Sequence, residues 1–402
     1  MNSHGGKTYR FSGITKYLRA AFAHPGLAVK LRWRSGPYWV VAYLFAWIAL
    51  EGLYAAAAPD IRVEPLNLTF NFDPGSLVPA DSPTAPRKSS PRPAGMRASP
   101  HSFRHFQPDG TPIDLYIRGG ANFHWLEDQS RYTVVQDGDK FVYAQLNAAG
   151  RLAPTPLLVG QADPASAGLT PRTLPPPETV REIIAERLAG APVPAPPKAV
   201  PPVGTVKNLV ILMRFANHTN RTLPPNTTFN TIFNAVGGDP AVAPTGSVRD
   251  FYLENSYGAM VLDSTVYGWV NLPQTEQYYA DGQSGLSLKI QQAITDALHA
   301  ADSLINFSQF DADADGFVDS IAFVHSGYGA EWGGWDAANV FYPNRIWSHR
   351  WQIPDWTSAE GVRVRDYHIN PGLWETTGAA PGRIGVICHE TGHFFGLPDL
   401  YD

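Results

Sequence analysis

The chain has 402 residues, a formal net charge of −5, 44% hydrophobic and 12% aromatic residues. That length allows two or three domains with at least one large core, and the aromatic content argues against general disorder. The mild acidity, without a long basic tract, argues against a nucleic-acid partner. A single cysteine, Cys388, excludes an intrachain disulfide and leaves the compartment open.

The N-terminal region narrows the compartment. Lys30, Arg32 and Arg34 precede an apolar run from Tyr38 to Leu50, and Ala55 to Ala58 follow. A basic, apolar, small-residue order is that of an export segment, assigned here to residues 1–58. The run is short for a span of roughly 20 residues, yet the leading segment is long for a cleaved signal. Both a cleaved signal peptide and an uncleaved anchor stay open, with a buried soluble helix as a third reading. In either export reading the remainder is secreted or extracellular, and membrane contact is confined to this segment.

Residues 59–102 read as a linker, rich in Pro and Ser from Leu77 to Pro100. Residues 103–172 read as a small β module. The stretches IDLYIRG, YTVVQ and KFVYAQL alternate like strands, with turn signals at Asp109-Gly110, Gly119-Gly120 and Asp137-Gly138. Residues 173–202 add a short helix (ETVREIIAERLAG) and a second, Pro-rich linker.

From residue 203 the pattern changes again. NLVILMRFAN predicts a buried strand, and SVRDFYLENSYG a helix with Val248, Phe251, Tyr252 and Asn255 at helical spacing. MVLDSTVYGWVNL predicts a strand. LSLKIQQAITDALHAAD predicts a helix striped by Leu286, Ile290, Ala293, Ile294, Ala297 and Ala301. DSIAFVHSG predicts another buried strand, and RIGVICHETGHFFG another helix. Strands alternating with helices predict an α/β layer over 203–402.

The last helix carries the densest chemistry. His389 and His393 are four residues apart, so a helix presents both on one face, about 5.4 Å from each other. Two imidazoles so placed reach one zinc ion at roughly 2.0–2.1 Å. Glu390, beside the first, can take a proton from a water that zinc has made acidic, as hydroxide attacks a carbonyl. Gly396 ends the helix where a left-handed turn needs no Cβ. That bend can swing Asp399 back as a third ligand and leave a fourth position open. The HExxHxxGxxD pattern therefore predicts a zinc hydrolase. The bland alternative is a pair of packed or solvated histidines, with Asp399 ordering a turn.

The stretch HETGHFFGLPDLYD resembles the immune inhibitor A-type metallopeptidases. SVRDFYLENSYGAMVLDSTVYGWVNLP, FDADADGFVDSIAFVHSGYGAEW and IWSHRW are similar to that family's catalytic domain, and FQPDGTPIDLYIRGGANFHWLED to its pro-region. The resemblance covers about residues 103–402. It implies an α/β (α+β) zincin-like catalytic domain of the metzincin type, preceded by a small β-rich pro-domain over 103–172. It further implies a secreted zinc endopeptidase made as a zymogen, acting on proteins or peptides. His389, His393 and Asp399 would hold zinc, and Glu390 would be the general base. One departure stands out. Metzincins close the site with a methionine-bearing turn downstream of the zinc helix, whereas all four methionines here precede that helix. The expectation is a catalytic domain truncated at its C-terminal part.

A second metal site is a candidate. Asp311, Asp313, Asp315 and Asp319, with Gly316 among them, follow the first nine positions of a calcium loop. Ala322 stands where the bidentate glutamate belongs, so the alternative is an acidic, solvated turn. His325 reads as a core or rim residue, with lining of the cleft as the alternative, His349 as a packing residue, and the tryptophans from Trp332 to Trp356 as core or substrate subsites. Cys388, about 100° off the metal face, reads as buried and inert. Two rival functions remain: a thermolysin-type hydrolase, which needs a glutamate from a later helix, and a non-catalytic, calcium-stabilised binding module. The Gly396 turn argues against the first, and metal content separates the second, which would hold calcium alone, from the endopeptidase.

Overall fold

The computed structural model of the chain describes residues 94–189 and 203–399. The predicted export segment, all but the end of the first linker and most of the second lie outside the described residues. Among the described residues no helix is long and apolar enough to cross a membrane.

The first sheet is an antiparallel meander of six strands in sequence order: β2 (Ser102–Phe106), β3 (Pro112–Gly119), β4 (His124–Glu127), β5 (Thr133–Asp137), β6 (Lys140–Leu146) and β7 (Leu152–Leu158). Alternation sets its inner face. In β3, Ile113, Leu115 and Ile117 are buried while Pro112 and Asp114 are exposed, the pattern of a half-buried strand. The β5–β6 hairpin pairs Asp137 with Lys140, and Gly138 in its tip takes φ 63°, which glycine adopts without steric cost. Three of the six strands, β3, β5 and β6, were expected. β2, β4 and β7 are short or Pro-interrupted and give weak periodicity. The helix α1 (Pro177–Arg187) follows.

The second sheet is mixed, in the order β1-β11-β12-β10-β8-β9. Its strands are β1 (Ala94–Gly95), β8 (Gly204–Arg214), β9 (Met260–Asn271), β10 (Ser320–Tyr328), β11 (His349–Thr357) and β12 (Arg363–Leu373). β9, β8, β10 and β12 are parallel, β11 runs antiparallel to β12, and β1 antiparallel to β11. The central strands read as unbroken apolar runs because both faces are covered. Leu209, Ile211 and Met213 point to one face, against Ile290, Ala293 and Ile294 of α5 (Lys289–Ala301). Val210 and Leu212 point to the other. They meet Phe229 and Ile232 of α2 (Asn226–Asn234), Val248 and Tyr252 of α3 (Val248–Asn255), and Ile387 of α6 (Ile384–Phe394). A fourth helix, α4 (Glu276–Ala280), precedes α5.

The start of α3 is set by a capping box. Ser247 Oγ accepts the Asp250 amide at 3.1 Å, and Asp250 Oδ2 accepts the Ser247 amide at 3.0 Å. The mixed α/β layer is thus present. The strands β11 and β12, and the helices α2 and α4, were not read from the sequence.

The two sheets share one apolar cluster. Leu115, Ile117 and Phe141 of the first pack with Leu286, Ala330, Tyr342 and Trp347 of the second region. Three histidines of residues 94–189 stack on three tryptophans there: His101 on Trp332, His105 on Trp335 and His124 on Trp347.

Candidate active site and metal centre

The helix α6 lies under the sheet, with Ile387 and Cys388 buried in the apolar layer and Glu390 to Phe394 buried beside β12. Tyr252 ties it to α3 by donating to the Cys388 carbonyl at 2.6 Å. Burial pushes the Cys388 thiol up, which keeps it unreactive, as expected.

The helix ends in a Schellman motif. Gly396, at φ 78°, donates to His393 O at 3.2 Å, and Leu397 donates to Gly392 O at 3.2 Å. This reversal carries Asp399 back over the helix. Asp399 Oδ1 lies 3.3 Å from His389 Nε2 and 3.3 Å from His393 Nε2. The two rings stand nearly perpendicular at 86°, with centroids 4.9 Å apart.

The His393 ring is fixed by its other nitrogen. Nδ1 lies 2.7 Å from the Leu397 carbonyl. A carbonyl only accepts, so Nδ1 carries the proton and Nε2 offers a lone pair. That lone pair faces a carboxylate oxygen, not a donor. His393 Nε2, Asp399 Oδ1 and Glu390 Oε2 are all buried without a hydrogen-bond partner among the described residues. Lone pairs turned toward one another call for a cation between them. Ligands at about 2.0–2.1 Å in a tetrahedral zinc site are separated by about 3.3–3.4 Å, and the two measured separations are 3.3 Å. The donor set of two imidazoles and one carboxylate fits zinc.

Glu390 spans two neighbourhoods. Oε2 faces the histidine cluster, 4.0 Å from His393 Nε2. Oε1 accepts the backbone amide of Met96 at 2.9 Å. Burial, and then the nearby Asp399 and Glu331 charges, push this carboxyl well above its ordinary range, while the Met96 amide pulls the other way.

Met96 belongs to a segment expected to be linker. Instead, β1 adds to the edge of β11, with Ala94 opposite Arg350 and Gly95 opposite His349. Trp347 Nε1 donates to Met96 O at 2.7 Å, and the Ser99 amide donates to Glu331 O at 2.8 Å. Gly95 allows the close approach: a Cβ there would lie 2.4 Å from Ser348 O and 2.9 Å from His349 Cα. No sequence signal marks these contacts, since a two-residue strand has no periodicity. The glycine between proline-rich stretches is the one hint.

The other candidates lie elsewhere. Asp311, Asp313 and Asp315 bring one carboxylate oxygen each within 4.8 Å of one another. Asp311 Oδ2 accepts the Gly316 amide at 3.0 Å, while Asp311 Oδ1 is buried without a hydrogen-bond partner among the described residues. Asp319 stays outside that group, and its Oδ2 accepts the Ala312 amide at 3.1 Å. Ala322 is buried in β10. His325 is fully buried beside Glu276, and His349 is hydrogen-bonded to Trp347 O and the Tyr367 hydroxyl. Both pack, as read from the sequence.

Comparison with known proteins points to a metallopeptidase. Residues 232–402 match the family model described as immune inhibitor A peptidase M6, catalytic domain. The chain is 31% identical over 240 residues to "Immune inhibitor A" of Bacillus thuringiensis subsp. alesti, covering 49% of this chain and 33% of that protein. It is 26% identical over 185 residues to "Pre-pro-metalloprotease PrtV" of Vibrio cholerae serotype O1 (strain M66-2), covering 39% of this chain and 19% of that protein. The chain thus spans a third or less of the length of these relatives.

Proposed function

We propose that the chain, whose residues 232–402 match the immune inhibitor A peptidase M6 catalytic-domain model, is the precursor of a secreted zinc endopeptidase that hydrolyses peptide bonds in proteins. The observation that carries this reading is the convergence of His389, His393 and Asp399 around one point, with Glu390 facing it. His389, His393 and Asp399 would hold the zinc. When bound, the ion would polarise the scissile carbonyl and bring a water within reach of deprotonation near neutral pH.

The residues of the chain supply the rest. Glu390 Oε2, on the side of the histidines, takes the proton of the attacking water. Glu390 then returns that same proton to the departing nitrogen, whose place beside the carboxylate is marked in this structure by the Met96 amide. Burial raises the proton affinity of this carboxylate. The edge strand β11 offers main-chain partners to an extended peptide, as it does to β1. That arrangement supports a zincin-like catalytic domain over 203–402.

Residues 103–172 are read as the pro-domain and Ala94–Ser99 as its blocking segment. The support is direct contact: Met96 engages the proposed general base and Gly95 lies on the edge strand. Activation would then require removal of this segment. Export rests on the charge and apolar order of residues 1–58, as a cleaved signal or as an anchor. The Asp311, Asp313 and Asp315 cluster is read as a calcium site, supported by the unpartnered, buried Asp311 Oδ1.

Metal analysis tests the proposal. The activated protein should carry one zinc per chain, and o-phenanthroline should remove zinc and peptidase activity together. A protein that cleaves substrates equally well after zinc removal contradicts it.

A further inference from the structure

The segment across the site reveals how a peptide main chain is held there. Glu390 Oε1 takes the Met96 amide at 2.9 Å, and Trp347 Nε1 takes the Met96 carbonyl at 2.7 Å. The indole therefore grips the first carbonyl beyond the nitrogen that Glu390 touches. In this structure its ring is held. It is fully buried and stacked at 4.7 Å and 18° on His124. Its own amide donates to Ser284 O at 2.9 Å, and its carbonyl meets His349 Nδ1 at 2.7 Å.

The next residue is also held. Ser348 O receives the same Met96 amide at 3.3 Å. Glu331 anchors Ser348 through its hydroxyl at 2.6 Å and its amide at 3.3 Å. Ser284, His349 and Glu331 lie outside the pro-region, so the main chain of Trp347 and Ser348 stays anchored before a ligand arrives, which spares part of the entropy of ordering it on binding.

We infer that Trp347 is a substrate-positioning residue: its indole N–H binds the carbonyl of the residue on the leaving-group side of the scissile bond and holds the departing nitrogen against Glu390. This rests on the role of Glu390 proposed above. The contact reads main chain and not side chains. It selects peptides that continue past the cut over amides whose leaving group is a simple amine. His124 and the other pro-region residues cover the ring in the precursor, so the grip becomes available to substrate only when they leave.

The test uses zinc-loaded enzyme activated from the full chain. A peptide with a mapped cleavage bond is compared with its analogue carrying a thioamide, a weaker acceptor, at the carbonyl one residue past the cut. Both are cleaved by wild type and by Trp347→Phe, which keeps an aromatic ring but lacks the donor. For the ordinary peptide, Trp347→Phe should lower kcat/KM about fivefold, the size of one neutral hydrogen bond. The thioamide should lower it similarly in wild type. The two losses should not multiply, because they remove the same contact. Losses that multiply, or a Trp347→Phe enzyme unchanged on the ordinary peptide, overturn the inference. Wild type alone gives a second reading that needs no variant: a thioamide at this carbonyl should cost more than one at the next carbonyl along, and equal costs overturn the inference. If wild type cleaves no peptide, the proposed function fails and this inference falls with it.

Discussion

The amide of Met96 donates to the carboxylate of Glu390 at 2.9 Å, across 294 positions of sequence. The contact joins a short edge strand to the residue proposed to move protons. On the function proposed above this contact blocks the site, because no substrate can place its own amide against Glu390 while Met96 is there.

Removing the closeness of that segment should loosen it. Gly95→Val adds a Cβ where Ser348 O lies 2.4 Å away and His349 Cα 2.9 Å. The strand must shift outward, and Met96 leaves Glu390. The full, zinc-loaded chain should then show several-fold higher peptidase activity before any processing. Activity equal to that of the unaltered precursor contradicts the blocking role.

The third ligand has its own test. Asp399→Ala removes the oxygen that meets both histidines at 3.3 Å. Loss of a partner that merely orients a ligand already costs about 10–100-fold in metal affinity. Loss of a ligand should cost at least that, read as the zinc dissociation constant by competition with a chelator. An unchanged affinity assigns the third position to another group.

Much of this site was legible. His389, Glu390 and His393 have a fixed helical spacing, and Gly396 marks the reversal that returns Asp399, so local rules suffice. The central strands were legible for a similar reason: runs such as Leu209–Met213 are apolar throughout because both faces are covered. The strands at one end of the mixed sheet, β12, β11 and β1, were not. β11 carries Arg350, Gln352 and Pro354 among its aromatics, so its pattern is broken, and β1 is two residues long. Trp347 was read as core or substrate subsite, and it is fully buried. What the sequence could not tell is that its N–H reaches a backbone carbonyl 251 positions away.

Acid should destabilise the precursor. Burial, before any other cause, lowers His124 from 6.5 to about 4, His218 to about 3 and His349 to about 4. These rings are neutral in the folded chain and protonate in the unfolded chain near pH 6.5. Unfolded chains therefore bind more protons between pH 6.5 and about 4, and stability falls as pH drops through that window. For His124 alone the loss is on the order of 3 kcal/mol by pH 4. The thermal midpoint should be clearly lower at pH 5 than at pH 7, and His124→Phe should reduce that difference. Equal midpoints contradict the neutral burial of these rings.

Calcium should stabilise the chain through the Asp311 loop. Saturation at about 100 times the dissociation constant adds about 2.7 kcal/mol, seen as a raised thermal midpoint. Asp311→Ala, which removes the buried Oδ1, should abolish the rise. A rise that survives this substitution places the ion elsewhere.

The central claim is that Glu390 moves the proton and does not hold the metal. Glu390→Gln in the activated enzyme measures it most directly, with zinc content and kcat determined on the same preparation. Glutamine keeps the size of the side chain but cannot take a proton. The account predicts one zinc per chain, as in wild type, and a kcat lower by about 10²–10⁴-fold. Full zinc content with undiminished kcat would contradict it.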